Sequence, residues 1–88
     1  MVHVTRLDNR TFEVTVDGPP PTTHMVHLAS EYHRKLTGGR VSKETLVTRS
    51  FEFLLERESN TSILRDFDLQ VIGRYFPEYE NEMLERLA

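Results

Sequence analysis

The first 28 residues alternate between apolar and polar positions, a period that is typical of β-strands. The alternation runs over 2–7 and again over 11–16, and Asp8 and Asn9 form a turn signal between the two runs. We therefore predict an antiparallel hairpin with one apolar face and one solvated face. The apolar face needs a cover, which helices further along the chain can supply.

A third strand is predicted over 23–28, after a connection whose residues 19–21 are all proline. Side chains alternate across a strand, so Val26 and Leu28 face one side. The opposite side carries Thr23, Met25 and His27. If the third strand pairs with the second, the three strands form a meander.

The spacing of apolar residues then changes to three and four, which is typical of helices. A short helix is predicted over 31–37, with Ser30 as its N-cap. Gly38 and Gly39 end it, because glycine readily adopts the left-handed conformation that closes a helix.

A longer amphipathic helix is predicted over 43–58. Ser42 is suited to cap it, and Glu44 places a negative charge at the positive end of the helix dipole. Its apolar stripe consists of Leu46, Val47, Phe51, Phe53, Leu54 and Leu55.

The remaining segment, 59–88, is predicted to form a helical tail. The residues Ile63, Leu64 and Phe67 indicate a short helical turn, Asp68 can cap a further segment over 69–76, and Pro77 suits the first turn of a last helix. The apolar side of that last helix carries Tyr79, Met83, Leu84 and Leu87. These side chains either close over the core or form a groove for a partner. Closure is favoured because a domain of 88 residues needs the buried area.

The predicted architecture is a single α+β domain over residues 1–88. A small antiparallel sheet, made of the N-terminal hairpin and the third strand, is followed by three to four helices. The sheet portion spans 1–28, the helix pair 29–58 and the helical tail 59–88.

Charge is unevenly distributed along the chain. Residues 1–50 hold seven Lys and Arg against five Asp and Glu, whereas residues 51–88 hold four against nine. The first half permits contact with an anionic partner, and an acidic second half would have to point away from it.

No pattern of residues predicts catalysis, a cofactor or a metal. The chain has no cysteine, and His24 and His27 lie an odd number of residues apart on a strand, so they face opposite sides. Ser42 and Ser50 lack a nucleophile-elbow motif, and the paired glycines are not followed by the residues of a phosphate-binding loop. We therefore expect a protein that is not an enzyme and binds neither cofactor nor metal.

Apolar runs of two to three residues are too short for a signal peptide or a membrane span. We expect a soluble cytoplasmic protein that does not associate with membranes.

The order strand, helix, glycine turn, helix within 23–58 resembles the ribbon-helix-helix family of DNA-binding dimers. The matching segments are Met25-Val26-His27-Leu28, Ser30-Glu31-Tyr32, Gly38-Gly39-Arg40, Lys43-Glu44-Thr45-Leu46 and Phe53-Leu54-Leu55. Members of that family pair their strands across a two-fold axis and place the resulting ribbon in the major groove of DNA.

This resemblance implies a homodimeric DNA-binding regulator of transcription. Thr23, Met25 and His27 would face the bases. The backbone amides of Ser42 and Lys43 would meet a phosphate, and binding would weaken when Arg40 or Lys43 is neutralised. Methionine at position 25 departs from the polar residues usual on that face, and the 22 preceding residues offer the strand a partner within its own chain.

An alternative hypothesis follows if the third strand pairs within its own chain. The protein would then be a monomeric module that binds another protein through its acidic, aromatic C-terminal helices. The residues predicted to contact that partner are Tyr75, Phe76, Tyr79 and Met83. Which neighbour satisfies the backbone of the third strand separates the two hypotheses.

Overall fold

The computed structural model describes residues 1–87 and contains a four-stranded mixed sheet. The strands are β1 (Val2–Arg6), β2 (Thr11–Val16), β3 (Thr22–His27) and β4 (Asp66–Asp68), and they lie in that order across the sheet. The first three strands form the predicted antiparallel meander, and β4 pairs in parallel with β3.

Four α-helices follow the first three strands or flank β4. They are α1 (Ser30–Thr37), α2 (Lys43–Leu55), α3 (Ile72–Tyr75) and α4 (Tyr79–Arg86). Two 3-10 turns, Asn60–Ser62 and Leu69–Val71, precede β4 and α3 respectively. Among residues 1–87, no helix is long and apolar enough to cross a membrane.

The core lies between one face of the sheet and the helices. Phe12, Val14 and Val16 of β2 point into it, and their antiparallel partners on β3 are Val26, His24 and Thr22. All six side chains are buried, as the two-residue period of paired strands requires. The apolar stripe of α2 covers this face, with Leu46, Val47, Phe51 and Phe53 fully buried.

The ends of α1 and α2 agree with the sequence prediction in part. The Ser42 hydroxyl accepts a hydrogen bond from the Thr45 amide at 3.1 Å, so Ser42 is the N-cap of α2. Gly38 adopts the left-handed conformation (φ 66°) and its amide bonds to the Arg34 carbonyl, which ends α1. Ser30 as the N-cap of α1 is wrong: Ala29 holds that position, and the Ser30 hydroxyl instead accepts from the Lys43 ammonium at 2.8 Å.

The α+β class is confirmed, and the three predicted strands pair antiparallel, but the sheet has a fourth, parallel strand that was not predicted. A helical turn was predicted around Ile63, Leu64 and Phe67, whereas the chain forms β4 across Phe67. The Met25 amide donates to the Arg65 carbonyl at 2.7 Å, so the second edge of β3 is satisfied by this segment. Phe67 points inward between two exposed aspartates, a strand pattern only three residues long.

Candidate functional site

An open apolar groove lies between the end of α2, the segment that leads into β4, and α3. It is called the tail groove here. Its volume is about 150 Å³, and it is lined by Leu54, Glu58, Ser62, Ile63, Leu64, Phe67, Val71, Ile72, Tyr75 and Phe76. Eight of these ten side chains are apolar or aromatic.

The floor of the tail groove belongs to the core, and its rim does not. Leu54, Ile63 and Ile72 are at most 4% exposed. Leu64 and Tyr75 on the rim are 46% and 66% exposed, so two large hydrophobic side chains border the groove in contact with solvent. Exposed apolar side chains gathered around one concavity are typical of a binding surface, whereas scattered ones are ordinary.

A buried histidine fastens one wall of the tail groove to the sheet. His24 is fully buried, and its Nδ1 lies 2.7 Å from the Leu64 carbonyl oxygen. A carbonyl can only accept, so Nδ1 carries the proton and donates. Nε2 then accepts from the Thr22 hydroxyl at 2.9 Å, and the Asn60 amide group donates to that same hydroxyl at 3.1 Å.

In the neutral ring, Nε2 is the acceptor of this chain of hydrogen bonds. Burial lowers the pKa of His24, and its hydrogen bond to the Leu64 carbonyl opposes that effect in part. The wall carrying Ile63 and Leu64 is therefore held by a network without an unsatisfied member, since no buried side-chain polar atom of residues 1–87 lacks a partner. Such a wall is formed before any ligand arrives.

Glu58 is the charged residue that lines the tail groove. It is partly buried in the turn after α2, and it has no ion-pair partner within the described chain. The nearby acidic residues differ: Glu56 pairs with Arg57 and Arg86, and Glu78 pairs with Arg57. The apolar groove therefore has one acidic side without a bound counter-charge.

The four residues predicted to contact a protein partner divide into two pairs. Tyr75 and Phe76 line the tail groove. Tyr79 and Met83 are fully buried against α2 and cannot touch a partner in this fold, so their assignment to a binding surface is wrong. Helical spacing identified all four as apolar-face residues but could not separate those that face the core from those at its margin.

The residues predicted to read DNA bases lie on the open face of the sheet. Thr23 is exposed, Met25 is half-buried, and the His27 Nε2 lies 2.8 Å from the Asp66 carboxylate. The same outward face carries the three carboxylates Glu13, Asp66 and Asp68, and no Lys or Arg occupies an outward position of β1–β4. This face repels phosphate.

The side chains of the residues predicted to contact phosphate each make hydrogen bonds within the chain, although Arg40 and Ser42 remain exposed. Arg40 Nε donates to the Thr37 carbonyl at 3.3 Å, and the Ser42 hydroxyl is occupied as a cap. The Lys43 ammonium donates to the Asn9 carbonyl at 2.7 Å as well as to Ser30. Lys43 therefore joins the start of α2 to the β1–β2 turn and to Ser30, and Arg40 bonds to the end of α1.

Both edges of β3 are paired inside one subunit. Residues 22–27 bond to β2 on one side, and residues 25–27 pair with β4 on the other. The sequence left open whether this strand pairs within or between chains, and the structure places its partners in its own chain. The paired ribbon of the ribbon-helix-helix arrangement requires a free edge at this strand.

Sequence reasoning did not identify Glu58, Val71 or the buried role of His24 as parts of a site. A signal for His24 was present, because its position on β3 has the same parity as Val26 on the apolar side. Glu58 gave no signal, since an acidic residue at the end of an amphipathic helix is ordinary. Within residues 1–87 no group of three or more His, Asp or Glu side chains is arranged to hold a metal.

Compared with protein families, with curated proteins and with solved structures, the chain gives no match to any of them.

Proposed function

We propose that the protein is a non-catalytic interaction module whose tail groove binds one bulky apolar side chain from an exposed segment of another protein. The observation that carries the proposal is the preformed groove with a buried apolar floor and the exposed side chains of Leu64 and Tyr75 on its rim. Binding would remove both of these side chains from water.

The size of the tail groove favours a single side chain over a larger ligand. Its volume is about 150 Å³. Cavities of roughly that size with apolar walls hold a group as large as benzene, whereas sites for drug-sized molecules and cofactors measure about 300–1,000 Å³. A leucine or phenylalanine side chain matches this space.

The rigidity of the groove supports affinity from a small contact. One wall is fixed through His24 to the Leu64 carbonyl, and the floor is continuous with the core. A preformed site loses less conformational entropy on binding, so more of the buried apolar area contributes to affinity.

DNA binding is the weaker hypothesis. It was motivated by the order of elements in 23–58, and it would place the outward face of β3 in the major groove. The strands on either side of β3 place Glu13, Asp66 and Asp68 on the same outward face, and both edges of β3 are paired with strands of the same chain. We therefore propose a protein segment as the partner instead of DNA or a second copy paired through β3.

Selection from a displayed library of random peptides tests this proposal. Peptides enriched on the wild-type protein should share one bulky apolar position. Their affinity should fall at least about ten-fold with Leu64→Asp, which places a charge on the groove rim.

Leu84→Asp is the matched control, because Leu84 is 48% exposed like Leu64 but does not line the groove. It should leave affinity unchanged. Enriched peptides that bind equally well to both variants would contradict the proposal, as would the absence of any enriched apolar position.

A further inference from the structure

The unpaired carboxylate beside the tail groove indicates what chemistry accompanies the apolar anchor. We infer that the partner segment carries a lysine or arginine next to its apolar anchor, and that Glu58 binds this cation. This inference rests on the proposed function and specifies the class of partner.

Glu58 differs from its acidic neighbours in its ion pairing. Glu56 and Glu82 both pair with Arg86, at 2.7 Å and 3.3 Å, and Glu78 pairs with Arg57 at 3.1 Å. Within residues 1–87 Glu58 has no such partner, although it lines a concavity and is partly buried. Any positive charge that pairs with Glu58 therefore comes from outside residues 1–87.

A ligand in the groove would change the hydration of the Glu58 carboxylate. An apolar side chain bound against Leu54 and Ile63 would displace water from the side of Glu58 that faces the groove. A carboxylate that loses water is stabilised only by a compensating charge or hydrogen bond. A neutral or acidic residue beside the anchor would leave it uncompensated.

The charge around the tail groove also favours a cationic partner. No Lys or Arg is among the ten side chains that line the groove. Residues 51–88 carry nine acidic side chains against four basic ones. The exposed ring of Tyr75 adds a face on which a cation can lie. A segment that is apolar and basic is therefore complementary to this surface in both shape and charge.

Three capped six-residue peptides in a glycine and serine background test the inference. One carries leucine followed by lysine, the second leucine followed by glutamate, and the third serine followed by lysine. Each is titrated into ¹⁵N-labelled protein, and the amide shifts of Ile63, Leu64 and Tyr75 are followed by NMR.

The leucine–lysine peptide should bind about five-fold more tightly than the leucine–glutamate peptide, the size expected for one partly exposed ion pair. Glu58→Gln should bring that ratio close to one and keep the requirement for leucine. Glu52→Gln, at an exposed residue of α2 paired with Arg49, should leave the ratio as in the wild type.

The outcomes separate the two proposals. Equal affinity for the two leucine peptides, or a ratio that Glu58→Gln does not change, overturns the inference about charge and leaves the groove intact. Failure of both leucine peptides to shift the groove amides, or equal binding of the serine peptide, overturns the proposed function and this inference with it.

Discussion

The two sides of the C-terminal tail differ in where they place their large tyrosine and leucine side chains. On one side, α4 presses Tyr79 and Met83 into the core, and both are fully buried. On the other side, the residues around β4 and α3 leave Leu64 and Tyr75 on the surface beside an open groove. The α4 side completes the core, and the side around β4 and α3 leaves apolar side chains exposed to solvent.

The closed side is complete in its polar contacts as well as its packing. The Tyr79 hydroxyl lies 2.6 Å from the Ser50 hydroxyl, and Ser50 in turn donates to the Leu46 carbonyl at 2.7 Å. Tyr79 therefore donates and Ser50 accepts in their shared bond. Burial raises the pKa of Tyr79, so this hydroxyl keeps its proton and the bond at ordinary pH.

On the open side, the floor of the groove is held in place by the core and the rim is exposed to solvent. His24 and Phe67 connect the wall of the groove to the sheet, and the Phe67 ring packs near Phe51 with centroids 6.1 Å apart. Tyr75 remains 66% exposed. Apolar spacing therefore predicts which residues tend to be buried, but not whether the surface that buries them belongs to the same chain.

The largest expected effect separates the two tyrosines of the tail. Tyr79→Ala should destabilise the fold by about 3–5 kcal/mol, because it opens a cavity in the core and leaves Ser50 without its partner. Tyr75→Ala should change the free energy of unfolding by less than about 0.5 kcal/mol. Urea denaturation of the two variants measures both values. Similar losses for the two would contradict the division of the tail into a closed and an open side.

The next effect concerns the wall of the open side. His24→Gln should cost about 1–3 kcal/mol, since the partly buried Leu64 carbonyl and the buried Thr22 hydroxyl lose well-placed partners. His3→Gln is the control, because His3 is exposed on the sheet. Thermal unfolding of both variants compares them, and a smaller loss for His24→Gln than for His3→Gln would show that the network does not hold the wall.

The same histidine gives a pH dependence with a defined sign. Its pKa in the folded protein is below the value of about 6.5 in the unfolded chain, so the unfolded chain binds the proton more readily. The contribution of His24 to stability is complete above about pH 6.5 and decreases as the pH falls below it. Unfolding measured between pH 5 and pH 7 should show this slope in the wild type and in His3→Gln, and a reduced slope in His24→Gln.

The smallest effect concerns Arg57, whose guanidinium packs on the closed side. The Arg57 guanidinium lies 3.7 Å from the centre of the Phe53 ring, whose other neighbours include Tyr79. Arg57→Ala should cost about 0.5–1 kcal/mol through loss of this stacking and of the ion pairs with Glu56 and Glu78. Arg74→Ala, at an exposed residue without an ion pair in residues 1–87, should cost less. Chemical denaturation that ranks the two in the reverse order would contradict the assignment.

Local pattern was sufficient to predict much of the fold. The alternation over 2–7 and 11–16 and the cap at Ser42 led to elements that the structure contains. Pattern failed at β4, because a strand of three residues has too few positions to display a period of two. Its existence depends on the unpaired edge of β3, which lies about 40 residues earlier in the chain.

The binding surface was predicted less well than the fold, for a related reason. Tyr75 and Tyr79 are the same residue type and lie four positions apart in the sequence, at the end of α3 and the start of α4, yet one is exposed and the other buried. Their difference is set by where α4 crosses α2, which local spacing does not specify. The tail groove itself joins residues of α2, the β4 segment and α3, and no stretch of sequence contains it.

The most direct test of this account is the solvent exposure of the tail side chains, measured by NMR with a soluble paramagnetic gadolinium chelate. The account predicts strong broadening of the Leu64 methyl and Tyr75 ring signals, while the Met83 methyl and Tyr79 ring signals stay sharp. Equal protection of all four side chains in dilute solution would contradict it, because the groove would then be closed.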